Sequence, residues 1–216
     1  MSRCALITGA SSGIGYEFAK LFAHDGCRLV LVARNAQRLT EIKGQLQQQF
    51  RVSVTVVSKD LALAQEPDEL FAELQREGIE VDVLVNNAGC GTHGSFAEAD
   101  FAAQRSMMQV NMGAPTHLTR LFLPGMIRRG TGKILHVAST AAFQPGPLMA
   151  VYCASKAYVL SLSEALANEL EGTGVTVTAL CPGPTRTSFQ ERAGVGDTPL
   201  MRGRIADAAS VAREGF

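Results

Sequence analysis

The residues best suited to chemistry stand in one short run, Tyr152-Cys-Ala-Ser-Lys156, thirteen residues after Ser139. Positions i and i+4 share a helix face, so a phenol and an ammonium at that spacing can point into one site. A free phenol titrates near 10 and is a poor base at neutral pH. An ammonium about 4 Å away, at an effective dielectric of about 20, is worth roughly 4 kcal/mol, or about 3 pKa units. That brings Tyr152 to about neutrality, where acid–base catalysis is most effective. With three Tyr and five Lys in the chain, chance supplies such a pair roughly 0.07 times. Tyr158, just beyond, reads as packing.

A second group is Thr8-Gly9-Ala10-Ser11-Ser12-Gly13-Ile14-Gly15. A Gly-rich turn entering a helix lets backbone N–H groups and the helix dipole meet a pyrophosphate. The spacing is G-x-x-x-G-x-G rather than G-x-G-x-x-G, and a structural strand-to-helix turn would use the same residues. About 20 residues on, where an acid would hold an unphosphorylated ribose, stand Ala33 and Arg34. A missing acid beside a guanidinium favours a 2′-phosphate, with Ser11 and Ser12 as further donors. The alternative is that Arg34 and Arg38 are solvated charges at a helix start. Further along come Asp60-Leu61, placed to accept from an adenine amino group, and Asn86-Asn87-Ala88-Gly89, which offers amides and close backbone approach. Local turn chemistry accounts for the same residue types.

These groups share a position: each follows an apolar run. Strands are expected at 3–8, 28–33, 52–58, 81–85, 132–138 and 175–180, and helices near 14–25, 36–49, 66–77, 100–129 and 152–171. Runs such as Leu29-Val-Leu-Val-Ala33 are apolar without alternation, as in strands covered on both faces. The alternation predicts an α/β, three-layer, Rossmann-like doubly wound parallel sheet, with ligands beyond the carboxyl ends of its strands.

Composition narrows the function classes. At 216 residues and 46% hydrophobic, the chain reads as one domain spanning 1–216 with a sizeable core. Twenty basic residues balance twenty acidic ones, so no net field gathers nucleic acid or an anionic membrane. Five scattered Cys without a C-x-x-C pair fit neither a disulfide framework nor a zinc site. No signal segment or membrane-length apolar run is present, and a cytoplasmic protein is expected. Of the four His, His136 reads as a satisfied core group and His93 as a candidate for facing substrate.

Taken in order, Thr8-Gly9-x-x-x-Gly13-x-Gly15, Asn86-Asn87-Ala88-Gly89, Asn111, Ser139, Tyr152-x-x-x-Lys156 and Pro182-Gly183 resemble the short-chain dehydrogenase/reductases, from residue 3 to about 190. The resemblance implies reversible hydride transfer between a nicotinamide and a carbonyl or secondary alcohol. It makes Asn111, Ser139, Tyr152 and Lys156 the catalytic set, with Ser139 holding the substrate oxygen and Asn111 fixing a water that relays protons to Lys156. Cofactor contacts fall to Gly9, Ser11, Ser12, Gly13, Ile14, Gly15, Arg34, Asp60, Leu61, Asn87, Ala88, Gly89, Tyr152, Lys156, Pro182, Gly183, Thr185 and Thr187. NADP(H) is favoured over NAD(H), and the partners implied are a small carbonyl or alcohol and other copies of the chain in a homodimer or homotetramer.

Substrate-facing segments are expected at 90–96, 140–149 and about 183–210, offering Phe96, Phe143, Leu148, Met149 and Phe189 with little charge. An apolar ketone is favoured over a phosphorylated sugar. The rival reading is a non-catalytic NADP(H)-binding sensor or partner module; within enzymes it is an NAD(P)-linked alcohol dehydrogenase working in the oxidising direction. Relatives also continue into a seventh strand that this sequence does not supply, so an open edge at the sixth strand, which favours association, is expected.

Overall fold

Apolar runs without alternation become the covered centre of one sheet. The computed structural model describes residues 2–195 and 205–216. Its six parallel strands are β1 (Cys4–Thr8), β2 (Arg28–Ala33), β3 (Val54–Ser58), β4 (Val83–Asn86), β5 (Gly132–Val137) and β6 (Val175–Leu180), in the order β3-β2-β1-β4-β5-β6. Helices α1 (Gly13–His24) and α2 (Ala36–Phe50) cover one face. Helices α3 (Glu66–Arg76), α5 (Ala114–Arg129) and α6 (Ala150–Glu169) cover the other, while α4 (Phe101–Met108) leads into α5. Side chains of one strand serve both cores: Ala5 and Ile7 pack toward α1 and α2, Cys4 and Leu6 toward α3 and α5. The reversal of strand order between β1 and β4 opens a crevice at the strands' carboxyl ends.

The elements depart from expectation in three places. The predicted helix at 100–129 is interrupted by a π-helical turn, Gln109–Gly113, between α4 and α5. Pro115 has no N–H to give the carbonyl four residues back, which is that of Asn111, so the regular ladder cannot run through. Strand β3 starts at Val54 because Arg51, in the left-handed conformation, is still turning the chain out of α2. A small parallel pair absent from the sequence reading, β7 (Thr185–Arg186) with β8 (Ala206–Asp207), ties the segment after β6 to the stretch before α8 (Ala208–Gly215), which packs on α1. A short helix α7 (Phe189–Ala193) lies between them. Of the expected substrate segment 183–210, residues 196–204 lie outside the described residues. No helix among the described residues is long and apolar enough to cross a membrane.

Candidate active site

The crevice is a cleft of about 1800 Å³. All the catalytic and cofactor residues expected from the sequence line it except Gly15 and Asn111, which are buried behind its wall.

At one end the wall is mostly backbone. Thr8 closes β1, and its Oγ1 accepts from the N–H groups of Asn87 and Ala88, each at 3.0 Å, while donating to the Val85 carbonyl. The Asn87 amide donates to the Thr8 carbonyl at 2.8 Å and more weakly to that of Gly9. A Cβ at Gly15 would stand 2.4 Å from the Asn87 amide and 2.5 Å from the Gly9 carbonyl oxygen, so Gly15 acts by letting α1 come close. Gly9 has φ +66°, a conformation suited to glycine. The Ser12 side chain makes no capping bond to α1 and the first turn carries no acid, while Gly13 and Ile14 face the cleft. The first-turn N–H groups and the positive end of the dipole are therefore available to an anion. Exposed Arg34 lines the cleft and forms no ion pair among the described residues, whereas Arg38 is held by Glu41 at 2.9 Å and lies over the Tyr16 ring. Asp60 also lines the cleft, yet its carboxylate accepts from the Ala62 N–H, the local turn chemistry allowed for in the sequence.

At the other end the side chains converge. Ser139 follows β5, and its Oγ accepts from the Ala141 N–H at 3.1 Å. Tyr152 and Lys156 lie one helical turn apart on α6 and both line the cleft. The ammonium expected to lower the phenol's pKa is engaged by the main chain. Lys156 Nζ donates to the Val137 carbonyl at 2.8 Å and stands 5.9 Å from the centroid of the Tyr152 ring. Burial then governs both groups. It pushes Lys156 down to about 8 and pushes Tyr152 up, with the Ser139 hydroxyl pulling the phenol the other way. The phenol is accordingly held protonated in this arrangement rather than brought to neutrality.

Asn111 is buried, and its amide is fully engaged. Oδ1 accepts from the Cys90 N–H at 3.0 Å, and Nδ2 donates to the Cys90 carbonyl at 2.9 Å and to Ser155 Oγ at 3.0 Å. Ser155 in turn donates to the Tyr152 carbonyl. The Asn111 backbone carbonyl is the one that Pro115 cannot serve with an N–H. Sequence reasoning missed Ser155, Thr8 as a hydrogen-bonding hub, and the Val137 carbonyl. Ser155 lies three residues after Tyr152, a spacing that could have drawn attention to it.

Beyond Tyr152 the lining mixes apolar side chains with polar ones, among them His93, Gln190 and Arg192. Phe189 packs on Tyr152 with ring centroids 5.4 Å apart, and a Cβ at Gly91 would stand 2.7 Å from the Phe189 ring. Gln190 fixes the preceding segment by accepting from the Thr187 N–H and donating to the Thr185 carbonyl. His93, Leu148 and Met149 line the cleft; Phe96 and Phe143 do not, and both are exposed.

Under this end runs a buried polar chain. Asn86 Nδ2 donates to Thr119 Oγ1, Thr119 lies 3.0 Å from His136 Nε2, His136 Nδ1 lies 2.8 Å from Ser163 Oγ, and Ser163 donates to the Val159 carbonyl. Because the Ser163 proton is committed to Val159, His136 is satisfied when Nδ1 carries its proton and Thr119 donates to Nε2. Burial first, then the Lys156 charge, lowers His136 to about 4, so it is neutral, as expected of a satisfied core histidine.

Among families of known proteins, the one described as short chain dehydrogenase matches residues 3–196. Three solved structures resemble the chain closely. A short-chain dehydrogenase from Sphingobium yanoikuyae in complex with NADPH superposes with TM-score 0.91 at 34% identity, over 98% of this chain and 82% of that one. L-sorbose reductase from Gluconobacter frateurii, complexed with NADPH and L-sorbose, gives TM-score 0.87 at 30% identity, over 99% and 88%. The bulky-bulky ketone specific alcohol dehydrogenase from Comamonas testosteroni gives TM-score 0.86 at 33% identity, over 98% and 80%.

Proposed function

The chain belongs to the short-chain dehydrogenase/reductase family, an NAD(P)-dependent oxidoreductase acting on alcohol or carbonyl groups, and from that premise we propose that it reduces an apolar ketone with NADPH. The observation that carries this reading is the meeting of Ser139, Tyr152 and Lys156 on one cleft with the α1 N-terminus and with Arg34, which forms no ion pair among the described residues. Those groups fit a phosphorylated dinucleotide. The first turn of α1 takes the pyrophosphate, Arg34 with Ser11 and Ser12 takes the 2′-phosphate, and Asp60 and Leu61 border the adenine. Asn87, Ala88 and Gly89 border the nicotinamide half with Pro182, Gly183, Thr185 and Thr187, and Lys156 holds its ribose. When bound, the cofactor supplies the hydride.

The chain's own residues manage the proton. Tyr152, kept protonated by burial, gives its proton to the substrate oxygen, and Ser139 donates a hydrogen bond to the same oxygen as negative charge grows there. The phenolate regains a proton through Lys156, fed by water at the Asn111 carbonyl. The residues beyond Tyr152, with Phe189 and Met149 among them, suit an apolar flank on the carbonyl better than a phosphate. The free cysteines suit a reducing, cytoplasmic setting, and a homodimer or homotetramer is the assembly that light scattering should find.

An NADPH-oxidation screen over aliphatic, aromatic and polyol ketones tests the reading, and turnover of apolar ketones is the expected result. NADPH binding without turnover of any ketone would replace it with the non-catalytic binding module. Preference for polyol ketones would move the substrate class.

A further inference from the structure

At the mouth of the cleft, Gly146-Pro147-Leu148-Met149 forms a tight turn in which the Met149 N–H donates to the Gly146 carbonyl at 3.0 Å. Proline at the second position and a positive φ at the third are the marks of a type II turn, whose third position takes Gly, or less often Asn. Here that position is Leu148, with φ +66°. A leucine in the left-handed region is unfavourable, because its Cβ crowds the following carbonyl.

Core packing does not compensate for this. Leu148 is 51% exposed and lines the cleft. The turn is also held in place: the Gly94 N–H, from the loop after β4, donates to the Leu148 carbonyl at 2.9 Å. That bond joins the loop after β4 to the loop after β5 and holds the Leu148 backbone in place. A glycine would preserve the turn and the bond while removing the strain. The leucine side chain therefore carries a conformational cost with no return within the folded chain, and it offers apolar surface on the same cleft as the proton donor.

We propose that Leu148 is a specificity-determining residue, a fixed apolar lip against which the larger substituent of the ketone packs. This rests on the ketone-reducing reading above. The lip selects for a substituent long enough to leave the Tyr152–Phe189 pocket and reach the cleft mouth.

The test pairs two substitutions with a series of methyl ketones, from butanone to long-chain members, using NADPH as cofactor. Leu148→Gly relieves the strain and removes the side chain; Leu148→Ala removes the side chain and keeps the strain. Both should lower the ratio of kcat/KM for long over short ketones by about tenfold, mainly through KM. Only Leu148→Gly should raise the melting temperature. An unchanged ratio in both variants, or a fall in melting temperature with Leu148→Gly, would overturn the proposal while leaving ketone reduction intact. Absence of turnover in the unsubstituted protein, with NADPH still bound, would overturn the ketone-reducing reading and the lip with it.

Discussion

The two ends of the cleft are built from different materials. Around Gly9, Gly15, Thr8 and Asn87, main-chain groups and short side chains interlock so closely that a single added methyl at residue 15 meets atoms at 2.4 Å. Around Tyr152, the wall is made of side chains from separate segments, joined by contacts such as the ring pair with Phe189 and the backbone bonds from Gly94 to Leu148 and from Thr140 to Pro182. A backbone-built wall can recognise only what backbone recognises, chiefly phosphates and amides, and it tolerates almost no substitution. A wall of loop side chains can be recut one residue at a time. An invariant ligand matched to a variable one calls for that division.

Substitutions can separate the two ends. The largest effect is expected where they meet. Tyr152→Phe should reduce turnover about 10³-fold, the usual scale for a lost general acid, while isothermal titration finds NADPH binding changed by less than a few-fold. Coupled losses of binding and turnover would mean the ends are one unit.

Acid should strike the catalytic end. His136 is depressed to about 4 from 6.5, so between those values the unfolded chain takes a proton that the folded chain refuses. Stability is fully present above about 6.5 and declines as pH falls toward 4, by roughly 3 kcal/mol from this group. Urea unfolding across that range should show the decline, and His136→Asn, which cannot gain a proton, should flatten it.

At the nucleotide end, Gly15→Ala forces α1 away from Asn87 and should cost about 1–3 kcal/mol of stability, with weaker NADPH binding and unchanged discrimination among ketones. A thermal melt with NADPH titration checks both. Arg34→Ala should weaken NADPH about tenfold to a hundredfold, the scale of one charge-assisted contact, and leave NADH as it was. Equal loss for both cofactors would remove the 2′-phosphate role. The smallest effect is expected at Phe143, exposed and off the cleft. Phe143→Ala should change stability by no more than about 0.5 kcal/mol and leave ketone selectivity in place.

Legibility in the sequence follows the same division. The convergence of Gly9, Gly13, Ala33 and Asn87 on one end of the cleft was readable because backbone-built walls need particular residue types at particular offsets after each strand. The sheet was readable for a similar reason, since strands covered on both faces are apolar throughout. What escaped depends on distance across the fold. The bond from Lys156 Nζ to the Val137 carbonyl follows from where β5 ends relative to α6, and the i, i+4 spacing carries no record of that. The engagement of Asn111 with Cys90 and Ser155 joins three separate segments and was equally invisible. The π-turn lies between these cases. Its cause, Pro115 four residues after Asn111, is written in the sequence, but the helical periodicity of 100–129 masks it.

The pairing between Asn111 and residue 90 has one further consequence. Both bonds from the amide to that residue reach its main chain, one to the N–H and one to the carbonyl, as a neighbouring strand would. The loop is thus anchored without reference to what its side chain is, and that side chain lines the cleft. Position 90 is a natural site for redesign: thiol, hydroxyl, methyl or larger groups can be installed there to reshape the reaction chamber while the anchorage stays the same.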